Sequence, residues 1–264
     1  MFSANFQLSN FFKCIKRSLF GYFLKTTPKF PRFGSRRPTP ERDLRGEFRK
    51  GKKINSRNTR RVIDKNRERG FISRPRGLNN AEQIEELVRE LQGKGIFIPR
   101  IEAFDKPNNL IVFQNTGESI WNRITKSWGN EGPDEQQKRE ASGLFLKAVR
   151  HLARLHLEGI AHGHPQLKNF VIVGNKVGTI DYKFAAKTAF DWNNLSKLNV
   201  QLANDWFRWR VSFLKLRERY PTATNFLAEQ EKKTLAKLVS RYPITKENKR
   251  ILQKQLTAFT LGEN

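Results

Sequence analysis

Three of the chain's four histidines fall within nine residues, as His156, His162 and His164. An imidazole titrates near neutral pH, so each can move a proton, hold a metal or satisfy a buried backbone group. The stretch 155–184, LHLEGIAHGHPQLKNFVIVGNKVGTIDYKF, adds Asn169 five residues after His164 and Asp181 twelve after Asn169. Spacings of 6 and 2 residues can bring the three histidines onto one ion, but no fourth ligand stands with them. Bracing a loop is the simpler role for His156 and His162. The single cysteine, Cys14, excludes a thiolate metal site and a disulfide framework.

These groups need elements to hold them. Phe145, Ala148, Val149, Leu152 and Leu155 lie on one helical face, predicting a long helix from about Glu135 to near Gly159. Residues 170–173 and 177–180 flank Gly174-Asn175-Lys176 and predict a hairpin. His164 therefore sits between helix and hairpin, and Asp181 directly after the hairpin. Upstream, residues 61–65 and 70–74 read as strands around a polar turn at 66–69. A helix follows, with Asn80 as N-cap, Gln83 three residues on, and Ile84, Leu87, Val88 and Leu91 on one face before Gly93 and Gly95. Residues 96–103 and 110–114 read as two more strands. Downstream, three amphipathic helices are expected over 194–217, 223–241 and 245–260. Trp206, Trp209, Val211 and Phe213 give the first of them a core face among arginines; cation–π capture of an anionic sugar or nucleic acid is the alternative. No internal repeat is visible.

The ordered set of long helix, His-Gly, Asn, hairpin and Asp resembles the catalytic and metal-binding loops of the protein-kinase superfamily. Leu155-His156 with Gly159-Ile160 and His162-Gly163, together with Ile98-Pro99 after a helix stop, is similar to the small-substrate kinases that carry a His-Gly-Asp loop. These are the aminoglycoside phosphotransferases and the bacterial lipopolysaccharide-core (Kdo/heptose) kinases. The resemblance covers about residues 60–215 and implies an α+β, two-lobe protein-kinase-like fold that uses ATP and Mg²⁺. It makes Asn169 and Asp181 the Mg²⁺ ligands, hard oxygen donors beside the phosphates. It makes Lys65, in Val62-Ile63-Asp64-Lys65, or Arg74 the phosphate-holding cation, with Glu85 as its helix partner. Asp205 falls where such folds anchor the catalytic loop, an exposed helix acid being the other reading. The chain departs from the family's pattern at three points. His164 replaces the base Asp, Tyr182-Lys183 replaces Phe-Gly, and no Gly-rich phosphate loop precedes Arg61. An imidazole can orient or deprotonate an acceptor, so activity survives on one reading; on the other the chain is a pseudokinase.

Charge is unevenly spread. Residues 1–80 hold 22 Lys and Arg against 5 Asp and Glu, which is +17 of the chain's net +26. Such a segment is drawn to polyanions: anionic lipid headgroups, phosphorylated glycolipid or nucleic acid. Residues 1–26 mix Phe and Leu with Lys and Arg and contain no acid, which fits an interfacial membrane helix, a targeting segment or a core-docking helix. Residues 27–60, with four prolines, read as an extended linker. No run of 18 apolar residues occurs.

The expectation is therefore a basic extension and linker over 1–59, a small mostly-β N-lobe over 60–117 and a helical C-lobe over 118–264. The expected function is ATP- and Mg²⁺-dependent phosphoryl transfer to a sugar hydroxyl of lipopolysaccharide core or a related glycolipid, in the cytoplasm and peripheral on the inner face of a membrane. A nucleotide- or partner-binding pseudokinase scaffold and a basic nucleic-acid-binding protein are the alternatives.

Overall fold

Leu110-Ile111-Val112-Phe113 is an unbroken apolar run, and such a run makes a stable strand where both faces of its sheet are covered. The computed structural model describes residues 41–50, 52–53, 59–64, 67–114, 117–188, 190, 192 and 199–258. It covers both faces. After helix α1 (Arg45–Lys50), an antiparallel sheet forms from β1 (Lys52–Lys53), β2 (Thr59–Asp64), β3 (Arg67–Ser73), β4 (Ile101–Asp105) and β5 (Leu110–Gln114), in the order β1-β2-β3-β5-β4. Helix α2 (Ala81–Gly93) lies between β3 and β4 in the chain. Side chains alternate along β5, so Ile111 and Phe113 join the main core with Ile84, Leu87, Val88 and Leu91 of α2. Leu110 and Val112 point the other way, onto Ile72, Ala103 and Leu44, with Phe48 packed beside them.

That second face changes the reading of the linker. Within 27–60, Leu44 is fully buried and its N–H donates to Asp105 Oδ2 at 2.7 Å. The Arg42 N–H donates to the Phe104 carbonyl at 3.0 Å. Leu44 and Phe48, one helical turn apart, bury a small apolar face in an otherwise charged segment. Residues 1–26, where a membrane helix or targeting segment was expected, lie outside the described residues.

The remaining elements are β6 (Glu118–Ser119), α3 (Ile120–Trp128), α4 (Glu135–Leu157), β7 (Ile160–Ala161), β8 (Phe170–Val173), β9 (Lys176–Thr179), β10 (Ala186–Lys187), α5 (Val200–Arg219), α6 (Thr224–Ser240) and α7 (Lys246–Ala258). The result is a mixed α+β chain with small antiparallel sheets and a helical C-terminal part. Asn80 and Gln83 form the expected capping box on α2, and Asp134 with Gln137 forms another on α4. Phe145 meets Phe213 at 4.9 Å and Phe170 meets Trp209 at 5.4 Å between ring centroids, so the aromatic residues of α5 are core. Arg210 and Arg217 on its outer side both pair with Glu231 of α6.

Several boundaries differ from expectation; the first two expected strands run over 59–64 and 67–73 instead of 61–65 and 70–74. The next strand begins at Ile101, not 96, and of residues 96–100 the Arg100 carbonyl accepts the Gln114 N–H at 2.8 Å, while Pro99 lacks the N–H a ladder needs. The first late helix begins at Val200, not 194, because the Asn199 side chain accepts from the Gln201 and Leu202 N–H groups and caps it there. The β8–β9 turn is the two residues Gly174-Asn175, since Val173 already pairs with Lys176. Among the described residues, no helix is long and apolar enough to cross a membrane.

Candidate functional site

The loop after β7 hangs from one carboxylate. Asp205 of α5 has no exposed surface, and it accepts the His162 N–H on Oδ2 and the Gly163 N–H on Oδ1, each at 2.7 Å. His156 Nε2 lies 3.0 Å from the same Oδ2, while its Nδ1 lies 2.6 Å from the Tyr242 hydroxyl. An imidazole that donates at Nε2 accepts at Nδ1, so Tyr242 donates to His156 and His156 to Asp205. Burial and the Asp205 charge together raise the Tyr242 hydroxyl well above its usual range, keeping it the proton donor. Asp205 is thus a buried anchor and not an exposed helix acid. Asn204 Nδ2 reaches the Gly163 carbonyl and Ser212 Oγ accepts the Leu167 N–H at 3.0 Å, so α5 holds both ends of the loop.

Gly163 is required here. Its φ is +75°, and a Cβ would lie 2.2 Å from the Phe184 carbonyl oxygen. His162, fully buried, donates from Nε2 to the Ile180 carbonyl at 3.0 Å and stacks on Tyr182 at 5.0 Å. Burial depresses its pKa and favours the neutral ring. His156 and His162 therefore brace the loop, and their ring nitrogens are engaged.

His164 stands at the tip between the other two residues of the motif. The Asn169 amide Nδ2 donates to the His164 carbonyl at 2.8 Å and lies 3.4 Å from its ring Nδ1. The same Nδ1 is 3.6 Å from Asp181 Oδ2. The Asn169 main chain ties this loop to the hairpin, accepting from the Ile180 N–H at 2.9 Å. Asp181 follows the hairpin in the left-handed region, at φ 71° and ψ 51°, a conformation Asp tolerates better than most residues. That turn brings Lys183 back so that its Nζ lies 3.2 Å from Asp181 Oδ1. Burial pushes the Asp181 carboxyl upward, but contact with His164 and the Lys183 ammonium outweigh it and bring the pKa down to about 2.

The sequence-predicted phosphate-binding set is not drawn into this cluster in the same way. Lys65 lies outside the described residues. Arg74 sits just past β3 with its guanidinium 5.0 Å from the Phe48 ring centroid and its Nε buried without a hydrogen bond. Glu85, expected as the partner of that cation, pairs with Arg89 one turn along α2, with Arg89 Nε at 3.1 Å. At that spacing a helix brings two side chains together whatever lies opposite.

Two residues that carried no sequence signal position the site. Asn79 donates from Nδ2 to the Tyr182 and Ala185 carbonyls, and from its N–H to the Lys183 carbonyl at 3.0 Å. The segment before α2 is thereby fixed to the residues after Asp181, with Gly77 packed against the Lys183 main chain. Lys183 is the second: in the structure it is the counter-ion of Asp181.

Among the described residues, no group of three His, Cys, Asp or Glu side chains forms a metal cage. Asn169 and Asp181 nonetheless supply donors of the right kind. With its Nδ2 spent on the His164 carbonyl, Asn169 has its amide oxygen as acceptor, and Mg²⁺ commonly takes one or two protein oxygens with waters and phosphates completing the shell. No protein-family model matches the chain, and no curated protein sequence matches it.

Proposed function

We propose that the chain is a nucleotide-dependent phosphotransferase on a two-lobe, protein-kinase-like scaffold. The observation that carries this reading is the loop 162–169, suspended by its backbone from buried Asp205 so that His164, Asn169 and Asp181 converge. The sheet order β1-β2-β3-β5-β4, with α2 inserted between β3 and β4, supports the small lobe of that scaffold. Asn169 and Asp181 would hold Mg²⁺, which supplies charge stabilisation at the transferring phosphoryl group. His164 orients the acceptor hydroxyl and takes its proton as the oxygen–phosphorus bond forms and the bond to the departing nucleoside diphosphate breaks. The Asp181 carboxylate lies beside its Nδ1, at 3.6 Å. The acceptor class, a sugar hydroxyl of lipopolysaccharide core or a related anionic glycolipid, rests on the sequence resemblance and on the net charge of +26, which favours an anionic partner or membrane surface.

Calorimetric titration of Mg·ATP into the full chain tests the reading, alongside Asp181→Ala, Asn169→Ala and His164→Ala. Binding is expected to fall at least about tenfold in the first two and to survive in the third, which instead loses phosphoryl transfer. Equal Mg·ATP affinity with and without Asp181 refutes the metal assignment. Binding that depends on Asp181, with no transfer to any glycolipid acceptor, selects the pseudokinase scaffold, which the His164 substitution and the Lys183–Asp181 pair favour.

A further inference from the structure

Building on that nucleotide-and-metal reading, we infer that Lys183 is a built-in counter-ion of Asp181, competing with any divalent cation for the carboxylate. Its ammonium lies 3.2 Å from Oδ1, while the His164 ring nitrogen takes the side of Oδ2 at 3.6 Å. Both carboxylate oxygens therefore already face nitrogen. A cation arriving at Oδ1 meets a positive charge at contact distance, and Mg²⁺ gives up its water shell reluctantly.

The position of Lys183 is built, not incidental. Its main chain cannot drift, because its carbonyl accepts the Asn79 N–H at 3.0 Å and a Cβ on Gly77 would come within 2.4 Å of that oxygen. The left-handed turn at Asp181 aims the side chain back at the carboxylate. Only the four methylenes are free to move, so the ammonium can swing off Asp181 while the loop stays in place. Lysine and aspartate side chains are 30% and 26% exposed, open enough for a ligand to reach them. A pair this exposed is weak, which suits a contact that must yield. The surrounding field points the same way. An ammonium at contact distance from the carboxylate disfavours a bare cation and favours phosphate oxygens. A phosphate-bearing ligand would give Lys183 a second anion to hold and leave Asp181 to a metal.

The test is metal binding by the full chain without nucleotide, using Mn²⁺ as probe and free Mn²⁺ read by electron paramagnetic resonance. Lys183→Met and Lys183→Gln are each expected to bind one Mn²⁺ at least about tenfold more tightly than the wild type, the scale of removing an adjacent like charge. Lys183→Arg should stay with the wild type, and adding Asp181→Asn to Lys183→Met should abolish the gain. Wild-type affinity equal to that of both neutral variants overturns the inference, as does a gain that persists without Asp181. Near-ultraviolet circular dichroism of the two neutral variants establishes that the fold is kept. A gain in Mn²⁺ binding in protein that binds no nucleotide removes the phosphotransferase reading and leaves the counter-ion role standing.

Discussion

Replacing Asp205 by Asn keeps shape and volume and removes one acceptor and one charge. The carboxylate takes two backbone N–H groups at 2.7 Å and His156 Nε2 at 3.0 Å, with no exposed surface. An amide cannot serve all three. The less costly orientation keeps its oxygen at the Oδ2 position, on His162 and His156, and turns NH₂ onto the Gly163 N–H. The Gly163 N–H and the new NH₂ are then both buried donors without an acceptor, together about 2–3 kcal/mol, and two charge-assisted hydrogen bonds become neutral, at roughly another 1 kcal/mol together. Asp205→Asn should therefore destabilise the chain by about 3 kcal/mol, and Asp205→Ala, which strands all three donors, by about 4–5 kcal/mol. Urea unfolding at pH 7 measures the total. Native-state hydrogen exchange locates it: protection of the Gly163 amide should fall by about a hundredfold, more than that of amides in α4. Stability within about 0.5 kcal/mol of the wild type, with unchanged protection at 162 and 163, would refute the idea that this carboxylate suspends the loop.

Acid should act first through buried histidines. Burial above all lowers the His151 pKa to about 3, so the folded state binds fewer protons than the unfolded one. This stabilisation is full above about pH 6.5 and is lost as pH falls toward 3, by up to ~1.4 kcal/mol per pH unit for one proton. Asp181 has the carboxylate pattern, its contribution lost only between about pH 3.8 and 2, so urea titrations from pH 7.5 to 4.5 report the histidines. His151→Gln should remove about one proton from that slope; an unchanged slope counts against a neutral, buried His151. Two glycine substitutions should have opposite signs in the same assay. Gly163→Ala, at φ +75° against the Phe184 carbonyl, should cost about 2–4 kcal/mol. Gly143→Ala, in the interior of α4 with nothing within 4 Å of the new methyl, should gain about 0.5–1 kcal/mol.

Local signals were legible where one element decides the outcome. Asn80 with Gln83 caps α2 as its sequence says, and Ile84, Leu87, Val88 and Leu91 bury as their spacing requires. The spacing of His164, Asn169 and Asp181 was legible too, and it brings the three side chains together. What escaped depends on contacts between distant residues. Leu44 sits in a segment so charged that composition reads it as linker, yet the unbroken run 110–113 requires cover on both faces, and Leu44 with Phe48 provides part of it. Glu85 pairs with Arg89 four residues on, a contact within one helix that the expected strand partner did not include. Lys183 could be read only as a missing glycine until the φ of Asp181 was known.

The site divides into a frame and a tip with different dependence on side chains. The frame is backbone held by Asp205, Ser212 and Asn79, and those hydrogen bonds are indifferent to which residue occupies position 164. The residue at position 164 can therefore change without losing the loop. The reverse does not hold, because His164, Asn169 and Asp181 meet only while the frame holds them. Stability and exchange measurements near neutral pH thus report chiefly on the frame, and the metal or nucleotide binding proposed above would report on the tip through the frame. A variant that loses binding at full stability has a changed tip; one that loses both has lost the anchor.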